Sequence, residues 1–147
     1  MTERIKIFGA TPSPYTQKML SVFRYRHIPY TVHNGDIANK IAKLGVEVPK
    51  PVLLPTLLLK DAAGELVATT DSTPIIKRLE NEFKERGIIP DDPALAFINY
   101  LLEDFGDEWV TKYMFHYRWA FDDDANNAKQ KLVLHHEVTM EKASLNS

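Results

Sequence analysis

Two runs in this sequence set a hydroxyl or carboxylate at the start of a helix, where unpaired backbone N–H groups gather. Ser13 precedes Pro14, and the pair reads as an N-cap followed by proline at the first helical position. A serine hydroxyl there can donate a hydrogen bond to a bound thiolate while the helix dipole adds favourable partial charge. Each pH unit by which a thiol pKa falls corresponds to about 1.36 kcal/mol. Asp71-Ser72-Thr73-Pro74 repeats the arrangement, with helix-terminal N–H groups suited to an anion and a carboxylate suited to a cation. The residues alone leave a plainer role open for both runs, because Ser and Asp in these positions also cap helices, worth about 1 kcal/mol.

The chain contains no cysteine. No thiol nucleophile, disulfide exchange or thiolate metal site can therefore be built from it, and sulfur chemistry requires a bound thiol. His135-His136 lacks a second pair at ligand spacing, and Asp122-Asp123-Asp124 lacks the glycine and distal glutamate of a calcium loop, so no metal site is expected. Pro49, Pro51 and Pro55 forbid regular structure and hold their segment extended, as in a loop that positions something. Lys43 and Lys50 flank it and read as solvated surface, His116 reads as a packing residue, and Trp109, Tyr113 and Trp119 read as buried in the core or in an interface.

The elements that must position these groups follow from periodicity. Ile5, Ile7 and Phe8 begin a strand that stops at Gly9-Ala10-Thr11-Pro12. Tyr15, Met19, Val22 and Phe23 share one helix face, giving a helix to about His27, and Pro29 precedes a second strand at 30–33. A short helix over 37–44 follows the turn Asn34-Gly35-Asp36. Strands at 56–59 and 65–68 are joined by Asp61-Ala62-Ala63-Gly64 as an antiparallel hairpin, and a capped helix buries Ile75, Ile76, Leu79 and Phe83. Residues 85–93 have linker composition. From Ala94 onward, Phe97/Ile98, Leu101/Leu102, Phe105, Trp109, Tyr113 and Tyr117 form the buried stripe of one long helix, in which Gly106 lets another backbone approach. The run 122–127 breaks that pattern, and a further helix is expected from Ala128 to about Lys142.

The 147 residues allow one core and part of a second. At 44% hydrophobic and 26% charged, the chain should fold rather than remain disordered. A net charge of −2 without a basic stripe argues against nucleic acid as a partner. No apolar stretch reaches the roughly 20 residues of a membrane span, and the first residues lead straight into a strand, so a cytoplasmic location is expected.

The β-α-β-α-β-β-α order, with Ser13-Pro14-Tyr15-Thr16 after the first strand, Leu54-Pro55-Thr56 before the third and Asp71-Ser72 opening the last helix, resembles the amino-terminal domain of glutathione transferases. The resemblance implies a thioredoxin-like α/β domain at 1–84, a linker at 85–93 and an incomplete all-α domain at 94–147. It implies that Ser13 activates the sulfur of glutathione for attack on a small electrophile, with Tyr15 and Thr16 as lesser candidates and Tyr15 more at home in the core. It further implies a cis Leu54–Pro55 bond whose backbone pairs with the cysteinyl part of glutathione, and Asp71 and Ser72 as anchors of the γ-glutamyl end. Glutathione would be a co-substrate, and the family arrangement is a homodimer. Two rival readings share the fold: a non-catalytic interaction module, and a reductase or isomerase that binds glutathione without consuming it.

Overall fold

The computed structural model describes residues 4–135. Its first part is a four-stranded mixed sheet between helices. Strand β1 (Ile5–Phe8) pairs parallel with β2 (Tyr30–His33) and antiparallel with β3 (Thr56–Lys60), which pairs antiparallel with β4 (Leu66–Thr69), in the order β2-β1-β3-β4. A parallel pair needs a crossover, supplied by α1 (Pro14–Tyr25). A short helix, α2 (Ile37–Ala42), follows β2, and α3 (Ser72–Glu82) follows β4.

Strand alternation divides the core into two layers. Ile7, Leu57 and Leu59 face Met19, Phe23, Ile75 and Leu79 of α1 and α3, whereas Phe8 and Leu58 face Ile37 and Ile41 of α2. Because β3 is covered on both sides, it reads as an unbroken apolar run rather than an alternating one. This is the thioredoxin-like arrangement expected from the sequence.

Helix α1 stops at Tyr25, two residues before the expected end. His27 adopts a left-handed φ of 56°, and the Ile28 N–H bonds back to the Phe23 carbonyl at 3.0 Å, closing the helix with a C-terminal motif usually built on glycine.

The second part is helical: α4 (Pro93–Asp104), a π-helical turn (Phe105–Val110), α5 (Thr111–Trp119) and α6 (Asp122–His135). Four expectations need correction here. The long helix is interrupted by the π turn. A Cβ on Gly106 would meet nothing within 4 Å, so that glycine serves no close approach. Helix α6 begins at Asp122 rather than Ala128, because three aspartates at a helix N-terminus complement its dipole instead of breaking the chain. The apolar stripe is open: Phe97 is 60%, Leu102 66% and Trp109 53% exposed. Tyr113, Tyr117 and Trp119 are likewise exposed, since no element among the described residues crosses that face. His116 is exposed too and sits edge-on to the rings of Tyr117 and Phe121. The expected helix beyond 135 lies outside the described residues, as does His136. No helix among the described residues is long and apolar enough to cross a membrane.

Candidate functional site

A cavity of about 1100 Å³ opens where the loop after β1, the proline-rich loop, the start of α3 and the α4–α5 rod converge. Ser13, Leu54, Asp71 and Ser72 line it together. Pro55 does not; it is fully buried behind Leu54.

Ser13 is held by its loop. Gly9 lies so close to α1 that an added Cβ would fall 2.6 Å from Thr16 Cγ2, and the Ala10 N–H donates to Thr16 Oγ1 at 3.3 Å. Thr16 is therefore 1% exposed, committed to the loop and absent from the cavity wall, which removes it as a candidate for contacting a ligand sulfur. Ser13 caps α1, its Oγ accepting the Thr16 N–H at 3.2 Å. That bond uses a lone pair and leaves the hydroxyl hydrogen free, so capping and donation to a bound anion do not exclude one another.

Tyr15 is not a core residue. Its hydroxyl donates to the Asp107 carbonyl in the π turn at 2.9 Å and lies 3.4 Å from Thr111 Oγ1, tying α1 to the helical rod at the cavity wall. On the opposite side, the Leu54–Pro55 and Lys50–Pro51 bonds are both cis, and Thr56 Oγ1 donates to the Leu53 carbonyl at 2.7 Å. Lys43 and Lys50 are exposed and do not line the cavity.

Asp71 caps α3, its Oδ1 accepting the Thr73 N–H at 3.2 Å. Its backbone is held at φ 74° and ψ 116°, a region that residues with a Cβ rarely occupy and that is kept only where the surroundings enforce it. Ser72, beside it, is 4% exposed, and its Oγ accepts from Lys18 Nζ at 3.1 Å. The same ammonium lies 2.6 Å from both Glu103 Oε1 and Asp107 Oδ2, and Thr73 Oγ1 also donates to Glu103 at 2.5 Å. Lys18 thus joins α1, the start of α3 and the helical rod.

Sequence reasoning missed Lys18, Glu103 and Asp107. The available signal was that Lys18 stands three residues after Tyr15, at the polar edge of the face that carries Tyr15 and Met19, and that Glu103 and Asp107 stand four residues apart. Burial pushes the Glu103 carboxyl up, but hydrogen bonds from Lys18 and Thr73 and the charges of Lys18 and Lys77 outweigh it and hold the group below the ordinary glutamate value. A depressed carboxylate stabilises the fold at neutral pH, and that contribution is lost as the pH falls through the unfolded value toward the folded one. Lys18→Met is accordingly expected to cost about 1 to 2 kcal/mol at neutral pH. The difference from the parent should shrink between about pH 5 and pH 3. Urea unfolding at both pH values checks this, and an equal loss at the two would contradict the linkage to Glu103.

Comparison with known proteins follows the same lines. Residues 7–87 match the family model described as glutathione S-transferase, N-terminal domain. Glutathione S-transferase U4 of Arabidopsis thaliana is 28% identical over 108 residues, covering 74% of this chain and 46% of that protein. Among solved structures, a glutathione S-transferase of Methylobacterium radiotolerans in complex with glutathione sulfonate superposes with a TM-score of 0.62. It is 20% identical, over 88% of this chain and 62% of that one. Glutathione transferase Omega 1C of Trametes versicolor gives a TM-score of 0.60 at 20% identity, over 86% and 58%. The chain spans less than two thirds of the length of each of these proteins.

Proposed function

The chain belongs to the glutathione S-transferase family, and from that premise we propose that it binds glutathione in this cavity and activates the thiol for transfer to a small electrophile. One observation carries the reading: two helix N-termini, one bearing Ser13 and the other Asp71 and Ser72, line a single cavity with Leu54 between them. In this reading the sulfur lies at Ser13, whose free hydroxyl hydrogen and helix dipole favour the thiolate. The cysteinyl backbone lies along Leu54, with Pro55 packed behind it. The γ-glutamyl carboxylate meets the Ser72 hydroxyl and amide, and the ammonium meets Asp71. The superposable bacterial protein carries glutathione sulfonate, and a Burkholderia glutathione transferase homologue carries glutathione, which supports the ligand assignment. The chain then divides into a glutathione-binding domain at 1–84, a linker at 85–93 and a helical region from 94 onward. It functions in the cytoplasm as a homodimer.

The open aromatic face of α4 and α5 favours a second reading, a non-catalytic interaction module that uses the same fold. Ser13→Ala separates the two. For an enzyme, the substitution is expected to raise the pKa of bound glutathione by about one pH unit, read from ultraviolet thiolate absorbance. Conjugation at neutral pH should fall about tenfold while glutathione affinity changes little. An unchanged thiol pKa would favour the interaction module.

A further inference from the structure

Within the cavity, Arg118 stands apart. Among the described residues every other charged side chain lining it is a carboxylate, yet Arg118 is paired with none of them. Its partners are neutral: Nη2 donates to the Pro12 carbonyl at 3.1 Å and approaches Met114 Sδ at 3.2 Å, and its guanidinium carbon lies 5.9 Å from the Phe115 ring centroid. The Pro12 bond ties the cation to the residue immediately before Ser13, on the sulfur side of the cavity. The Nε and Nη1 hydrogens have no partner among the described residues, so the planar fork keeps donors for an anion while Met114 and Phe115 form an apolar wall around it.

We propose that Arg118 receives the negative charge that leaves sulfur as the new bond forms, and that the favoured electrophiles are therefore α,β-unsaturated carbonyl compounds. This rests on the glutathione reading above and adds the second substrate's class to it. In the step, the thiolate electron pair forms the S–C bond at the β-carbon. The alkene π pair becomes the α-carbon–carbonyl-carbon π bond, and the carbonyl π pair moves to oxygen. The resulting enolate oxygen is held by the guanidinium. The α-carbon then takes a proton from water, balancing the proton that the thiol released, and no group leaves. A donor aimed at developing oxyanion charge inside a cavity is worth about 10²-fold or more in rate. An alkyl halide, which expels halide from carbon and forms no oxyanion, draws little from it.

The test compares the parent, Arg118→Met and Arg118→Lys with two electrophiles, an aryl enone and a benzyl halide. Glutathione binding by calorimetry and thermal unfolding are measured on each. Arg118→Met is expected to lose about 10²-fold in kcat/KM with the enone, less than about threefold with the halide, and to keep its glutathione affinity. Arg118→Lys, which keeps the charge but not the fork, should recover part of the enone rate. Equal losses with both electrophiles, a loss confined to glutathione binding, or a folded, glutathione-binding parent that turns over neither compound would each overturn the assignment. A parent that fails to bind glutathione at all would instead remove the reading beneath it.

Discussion

Replacing Asp71 by glycine is expected to weaken glutathione binding by about tenfold to a hundredfold while leaving the chain folded. The magnitude is that of one charge-assisted hydrogen bond, about 1.5 to 3 kcal/mol. Glycine suits this test because it accepts a φ of 74° without penalty, so the substitution removes the carboxylate and spares the backbone. Losing the Oδ1 bond to the Thr73 N–H costs only a few tenths of a kcal/mol when glycine replaces the cap. Asp71→Ala loses the carboxylate too, but keeps a Cβ in the disfavoured region without the capping bond that offsets it, at a cost of about 1 kcal/mol in stability. Calorimetric titration should therefore find both variants weak binders, with only the alanine variant clearly less stable to heat. A glycine variant that bound as the parent does would reduce Asp71 to a helix cap.

The second large effect lies away from the cavity, at Arg26. Its side chain is fully buried and its Nη1 lies 2.6 Å from Glu80 Oε1. Nη2 donates to the Phe83 carbonyl and, at 3.4 Å, to the Glu85 carbonyl, while Glu80 Oε1 accepts the Ile88 N–H at 3.2 Å. The pair thereby anchors the chain as it leaves α3 for the helical rod. Glu80 is 18% exposed, so removing the arginine leaves a partly hydrated carboxylate together with two unpaired carbonyls, at about 3 kcal/mol. Arg26→Met is expected to lower the unfolding midpoint by about 6 to 12 °C. The double variant Arg26→Met, Glu80→Leu should recover much of that loss, because well-packed apolar groups can replace a buried ion pair at little cost. A single variant within about 1 kcal/mol of the parent would contradict the assignment.

Much of the positioning framework is local and was legible in the sequence for that reason. Ser13-Pro14 and Asp71-Ser72 announce helix starts through capping chemistry, and Gly64, at a φ of 84°, announces the hairpin turn. What escaped depends on partners distant in the chain. Tyr15 meets Asp107 and Lys18 meets Glu103 across more than eighty residues, and a lysine on a helix surface looks solvated until its carboxylates are placed beside it. The end of α1 escaped because a left-handed histidine carries no compositional mark. The π turn escaped because Leu101, Phe105, Trp109 and Tyr113 recur every four residues, a spacing that lies between the α and π periods and suits either. Periodicity identified the apolar face of α4 and α5 correctly as apolar, but periodicity says nothing about what covers such a face.

The central claim, a glutathione site built on two helix N-termini, is tested most directly by thermal unfolding of the full chain with and without millimolar glutathione. A ligand at about 100 times its dissociation constant adds roughly 2.7 kcal/mol, which for a chain of this length should raise the midpoint by about 5 to 10 °C. One cooperative transition is expected, shifted upward by glutathione in the parent and far less in Asp71→Gly. A cooperative transition that glutathione leaves unmoved would contradict it.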